Sequence, residues 1–270
     1  MLNHASLFSG IGGFDLAAEW MGWNNLFHCE IDPFCQRVLK YHFPGSKNYE
    51  NIKETNFSFW RGKIDVLSGG FPCQPFSLGG QRKGTEDDRN LWPEMYRAVK
   101  EIEPTWVIGE NVLGIISWNK GMVFEQVQSD LENEGYEVQA VVLPAASVNA
   151  IHRRDRVFFV AYSNNKGGNC KSKNIQKKNE EISERNENAK FSNTNERSIG
   201  GQKQRIQFKG FPSKSAFCGG ADGIPGELDS ISIPKWRKES IKAYGNAVVP
   251  QVVYQLFQSI EVMTKKMAID

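Results

Sequence analysis

No apolar run in the sequence approaches the length of about eighteen residues that a bilayer-crossing helix requires, which points to a soluble protein. The first residues, MLNHASLFSGIGGF, lack both the basic start and the continuous apolar stretch of a secretion signal, so the expected compartment is the reducing cytoplasm. Cysteine is scarce and odd in number, five in 270 residues, which fits that compartment. Cys29, Cys35, Cys170 and Cys218 form no CxxC pair and the four histidines form no HxxxH, so no metal site is expected. Net charge is also small, +2, but it is unevenly spread. Residues 163–215 hold 12 Lys or Arg against 5 Asp or Glu, a local charge of +7 that leaves −5 for the remainder. The same stretch carries nine asparagines and few large apolar residues, so it buries little surface and reads as a mobile insert. It is either a solvated linker or a segment that draws phosphates without reading sequence.

With 40% hydrophobic and 24% charged residues, the rest has globular composition, and 270 residues lie near the upper limit for one hydrophobic core. The first 160 residues alternate short apolar strands with amphipathic helices, the pattern of an α/β, doubly wound and mostly parallel sheet covered on both faces. Strands are expected at 5–9, 26–30, 64–68, 105–109, 136–143 and 157–162, and helices at 15–21, 92–101 and 123–134. In the last of these, Val123, Val127 and Leu131 mark the face that packs on the sheet. Helical periodicity resumes at 250–263, with Val253, Phe257 and Ile260 on one side, suiting a helix that returns to the first domain.

In such a sheet, ligands sit beyond the carboxyl ends of the strands, where the first strand-to-helix turn needs glycines for close backbone approach. FSGIGGFD at 8–15 meets that need. Glu30, twenty residues beyond Gly10, can accept hydrogen bonds from both hydroxyls of a ribose. The third glycine of the dinucleotide fingerprint is replaced by Asp15, so a nucleoside without phosphates fits better than a dinucleotide. GGFPCQPFS at 69–77 sets Cys73 between Pro72 and Pro75 in a stiff loop over the same edge, where a thiolate could attack a ligand. TWVIGENV at 105–112 brings Glu110 to that edge beside apolar neighbours, an environment that raises a carboxyl's proton affinity and suits a general acid. Alternation in IHRRDRVFFV places Arg154 and Arg156 on one face and Arg153 and Asp155 on the other.

Taken in order, FSGIGGF, GGFPCQPFS, GENV, HRRDR and GNAVVP at 245–250 resemble the motif series of the S-adenosylmethionine-dependent cytosine-5 DNA methyltransferases. The resemblance covers most of residues 4–162 and 241–256, and includes short phage- or prophage-like members of the family. It implies a Rossmann-like methyltransferase fold, a catalytic and cofactor-binding domain of residues 1–162 and 241–270, and a small, partly irregular target-recognition lobe at 163–240. Phe8 would lie against the adenine, Gly10, Ile11, Gly12 and Gly13 along the methionine end, and Glu30 on the ribose. Asn51 and Ile52 would face the adenine edge, Asn51 standing where the family has aspartate, and Asn246 and Ala247 would close the cofactor site. His152 stands where the family has glutamine.

The chemistry implied is addition of the Cys73 thiolate to carbon 6 of a cytosine, which makes carbon 5 nucleophilic toward the methyl group. Glu110 would protonate or hydrogen-bond ring N3, Arg154 would stabilise charge near the base carbonyl, and Arg156 would hold the loop and substrate. The base must leave its helix to be reached. Gln74, Ser77, Arg82 and Arg89 are the expected DNA contacts, the last two in a glycine-punctuated stretch suited to a lid. Trp236, Arg237 and Lys238 read as a surface turn or a further DNA contact. The partner implied is double-stranded DNA, with a companion restriction endonuclease in a modification system and a monomeric state expected. The related tRNA enzymes, a catalytically silent DNA binder and a nicotinamide oxidoreductase are the competing readings.

Overall fold

The computed structural model describes residues 1–72, 90–150, 153–163 and 233–267. The chain divides into two units, Met1–Gly168 with Ser232–Asp270, and Asn169–Ile231; the latter lies outside the described residues, together with most of the expected target-recognition lobe. In the first unit the strands are β1 (Asn3–Leu7), β2 (Asn24–Cys29), β3 (Lys47–Tyr49), β4 (Val66–Gly69), β5 (Trp106–Val112), β6 (Tyr136–Pro144) and β7 (Asp155–Ser163). They form one sheet in the order β3-β2-β1-β4-β5-β7-β6. The first five strands in that order pair in parallel, whereas β7 runs antiparallel to both β5 and β6.

Helices cover both faces, as the alternation of elements predicts. They are α1 (Gly13–Trp20), α2 (Pro33–His42), α3 (Trp92–Ile102), α4 (Met122–Asn133), α5 (Ile233–Asn246) and α6 (Pro250–Met267). Strand alternation assigns the faces: Ala5 and Leu7 of β1 join Phe27, Leu67, Val107 and Phe159 in a core with Met95 and Val99 of α3 and Val127 and Leu131 of α4. Val66, Trp106, Ile108 and Phe158 point the other way, against Ala17 and Ala18 of α1 and Val253 and Phe257 of α6. Phe257 lies fully buried between the rings of His4 and Trp23, 5.6 and 4.6 Å away, a burial worth about 2–3 kcal/mol. The C-terminal helix therefore completes the layer that α1 begins.

Element ends follow local chemistry. Asp32 accepts from the amides of Phe34 (2.9 Å) and Cys35 (3.4 Å) and so caps α2, whose first position is Pro33. The expected strands and helices are present with ends displaced by up to three or four residues, and β3, α2 and α5 are additions. Residues 236–238 belong to α5 and not to a turn; Trp236 meets Phe34 edge-on at 6.4 Å.

Candidate active site

Beyond the carboxyl ends of β1, β2, β4 and β5 lies a cleft of about 950 Å3. Its wall includes Phe8, Gly10, Glu30, Asn51 and Ile52 at one end, Glu110 and Arg156 at the other, and Lys242, Gly245 and Asn246 from the far end of the chain. Expected site residues thus share one cavity. Ile11, Gly12, Gly13, Ala247 and Arg154 do not line it. Cys73, Gln74, Ser77, Arg82, Arg89 and His152 lie outside the described residues.

The glycine turn is shaped by close packing. Phe8, Gly10 and Gly12 all adopt positive φ (50°, 55° and 85°), a region costly for side chains other than glycine. A β-carbon on Gly12 would fall 2.6 Å from Phe43, and one on Gly13 would fall 2.7 Å from the Val248 side chain and 2.9 Å from its carbonyl oxygen. Those two glycines therefore admit α2 and the GNAVVP segment, whereas the space beside Gly10 is open. Glu30 fixes the other side: its two carboxylate oxygens accept from the amides of Gly10 (2.7 Å) and Asp32 (2.8 Å). Burial raises its proton affinity, while these amides pull it back down. Each oxygen retains a lone pair for a hydroxyl of the ligand. Asn51 is oriented by its own turn, its Oδ1 accepting from Lys53 N–H (3.1 Å) and its amide donating to Glu54 (2.6 Å).

At the opposite end Glu110 is buried within β5. Arg156 Nε lies 2.9 Å from Glu110 Oε1, and a β-carbon on Gly70 would fall 3.1 Å from Oε2. Glycine at 70 lets backbone pass directly over the acid. Desolvation pushes the Glu110 carboxyl up to about 6, outweighing the nearby guanidinium groups of Arg156 and Arg154, which act in the opposite direction. Such an acid changes protonation near neutrality.

The two arginines divide otherwise than alternation suggests. β7 begins only at Asp155, and Arg154 sits at φ 37°, so the strand repeat does not reach it and it does not share the face of Arg156. Its Nη2 donates to the carbonyls of Gly245 (2.9 Å) and Ala247 (2.7 Å), while its charge still acts on Glu110. Arg153 pairs with Asp155 at 2.8 Å.

The loop that carries Cys73 is held at its stem. Asn111 Nδ2 donates to the Phe71 carbonyl (2.9 Å), Leu91 N–H donates to the Pro72 carbonyl (3.1 Å), and the rings of Phe71 and Trp92 pack 5.0 Å apart. Residues 72 and 91 are thereby joined, and Pro72 lies on the wall of the cleft. Sequence reasoning passed over Asn111, Asp32 and Lys242. Asp32 carried a signal, an Asp-Pro pair opening a helix two residues past Glu30, whereas Lys242 had none.

The strand order, the single reversed strand and the glycine turn over the carboxyl edge define a Rossmann-like methyltransferase domain. The chain belongs to the C-5 cytosine-specific DNA methylase family, whose model matches residues 2–215. It is 35% identical over 161 residues to the type II methyltransferase M.Eco47II of Escherichia coli, covering 58% of this chain and 39% of that protein. It is 34% identical over 164 residues to M.HhaI of Haemophilus parahaemolyticus, covering 60% of this chain and 50% of that one. The chain thus spans half or less of the length of these two relatives. The crystal structure of the Dnmt2 methyltransferase of S. pombe superposes with a TM-score of 0.52 at 22% identity, over 62% of this chain and 52% of that one, which shows a common fold.

Proposed function

We propose that the chain is a DNA (cytosine-5)-methyltransferase that uses S-adenosylmethionine and acts on a cytosine rotated out of duplex DNA. The observation that carries the reading is one cleft with two chemically distinct ends: a hydroxyl-accepting Glu30 beside an open glycine, and a buried Glu110 paired with a half-buried Arg156 below the stem of the Cys73 loop. The residues present fit the cofactor. Glu30 would hold the ribose hydroxyls, Phe8 and Ile52 would enclose the adenine, and Gly10 leaves room for the rest. When bound, S-adenosylmethionine supplies an electrophilic methyl group.

Protein groups account for the remaining chemistry. The Cys73 sulfur forms a bond to carbon 6 of the ring, and Glu110, whose proton affinity burial raises to about 6, delivers a proton or hydrogen bond to N3 as electron density arrives there. Arg156, held by Glu110 and by the Asp155 carbonyl (2.9 Å), stands where it can stabilise charge on the base carbonyl, the role the motif pattern alone would give to Arg154. After carbon 5 is methylated, a water molecule in the cleft takes its proton, the electron pair left behind restores the double bond and expels the Cys73 thiolate, and N3 returns its proton to Glu110. Burial of Glu110 itself strengthens its interaction with Arg156 and favours the protonated acid. Residues 163–240 would supply target recognition and the basic segment a phosphate contact. The reading places the protein in the cytoplasm of a bacterium, as a monomer beside a companion endonuclease.

The test is methyl transfer to duplex DNA and to tRNA side by side, with bisulfite sequencing of DNA from an expressing host. Methylated cytosines in one DNA context, abolished by Cys73→Ser with cofactor binding retained, are expected. Activity confined to tRNA, or full turnover by Cys73→Ser, would overturn the proposal.

A further inference from the structure

The stretch 242–248 forms part of the cleft wall although it joins the fold from the far end of the chain, and two side chains from elsewhere hold it. Arg154 reaches the carbonyls of Gly245 and Ala247 at the point where α5 ends at Asn246. Carbonyls in the last turn of a helix have no intrahelical partner, and a guanidinium satisfies them with charge-assisted bonds that also suit the helix dipole. On the opposite side, Lys242 Nζ lies 2.7 Å from Asp32 Oδ2. Asp32 caps α2 with its other oxygen, and its own amide donates to Glu30. Just beyond these contacts, Val248 packs where a β-carbon of Gly13 would stand.

We propose that Arg154 and the Asp32–Lys242 pair are positioning residues that fasten segment 242–248 against the glycine turn and the Glu30 rim. They set the affinity for the cofactor and not the rate of methyl transfer. The inference rests on the reading of the Glu30 end as the cofactor end. It gives Arg154 a task distinct from that of Arg156, which faces Glu110. The two fasteners differ in kind. Arg154 is partly buried and makes two bonds to backbone, whereas the Lys242 side chain is 60% exposed and its pair is open to screening by salt.

The experiment measures equilibrium binding of S-adenosylhomocysteine to the full chain without DNA, by calorimetry, together with KM for S-adenosylmethionine and kcat on DNA. Arg154→Met is expected to weaken binding about tenfold and to raise KM similarly, with kcat at saturating cofactor falling much less. Arg154→Lys, which keeps the charge at the helix end, should recover most of the affinity. Lys242→Met is expected to weaken binding about threefold, and raised salt should erase the difference between it and the parent. A fall in kcat with unchanged affinity in Arg154→Met would return Arg154 to the reacting base and overturn the proposal. Unaltered binding in Lys242→Met at low salt would do the same for the Asp32 contact, and that surface change tests the idea even if Arg154→Met fails to fold. Failure of the parent protein to bind S-adenosylhomocysteine at all would instead refute the cofactor reading on which the proposal stands.

Discussion

Replacing Glu110 by glutamine separates two opposing forces at the site. Burial favours the neutral acid, and the Arg156 contact at 2.9 Å favours the anion. If burial wins, the folded-state value lies near 6 against an ordinary 4.5. The folded protein then binds this proton more tightly than the unfolded chain. The stabilisation is complete below 4.5 and is lost as pH rises through 6, and the difference of about 1.5 units corresponds to about 2 kcal/mol. Glutamine is nearly isosteric and neutral, and its oxygen still accepts from Arg156, so the variant lacks this titration. Urea unfolding at intervals from pH 4 to pH 7.5 gives the free energy of each protein. Other groups that titrate in this range act in both and cancel in the difference unless they couple to Glu110. The variant should gain on the parent by about 2 kcal/mol between pH 4 and pH 7, with the change centred between 4.5 and 6. A constant difference would show that burial and the ion pair balance. A parent that gains on the variant as pH rises would show that the Arg156 pair dominates, and the assignment of Glu110 as a proton donor near neutrality would fall with it.

Asn111→Ala removes the donor to the buried Phe71 carbonyl; an unpaired buried acceptor plus the vacated volume should cost about 2–4 kcal/mol, read from the urea midpoint at constant m-value. Because the stem of the Cys73 loop shifts with it, kcat should fall by about two orders of magnitude, and a wild-type kcat would show that the loop does not depend on this contact. Asp15 is fully buried with its carboxylate against the Ser6 hydroxyl (2.9 and 3.0 Å), and desolvation pushes it up to about 7 from an ordinary 3.8. The stabilisation is complete below 3.8 and lost as pH rises through 7, so Asp15→Asn should gain on the parent by on the order of 4 kcal/mol between pH 4 and pH 8. Thermal melts across that range check it, and parallel pH curves would refute it.

Much of the fold and site was legible in the order of residues because the signals are local. A strand and its glycine turn occupy contiguous residues, and alternation or helical repeat states which face is buried; hence β1, β5, α3 and α4 were expected close to where they stand. Glu30 and Glu110 were legible for the same reason, Glu30 just past the end of β2 and Glu110 near the end of β5, so that each strand delivers its carboxylate to the carboxyl edge. Less was visible where the signal is weak. β3 has three residues, two of them polar, and α2 buries only Cys35 and Leu39, so neither carries enough apolar pattern to announce itself. Asp15 was legible as a missing glycine but not as a carboxylate turned inward onto Ser6, nine residues away.

What the sequence alone determined was therefore the inventory: a doubly wound α/β domain, its motifs and the edge on which they gather. Tertiary structure decided the partners. Whether β7 runs with or against β5, which arginine meets Glu110, and that Lys242 meets Asp32 across 210 positions all depend on where the chain returns after leaving the sheet. No periodicity records such a return, because pairing between distant segments is set by the packing of whole elements and not by the residues that happen to adjoin along the chain.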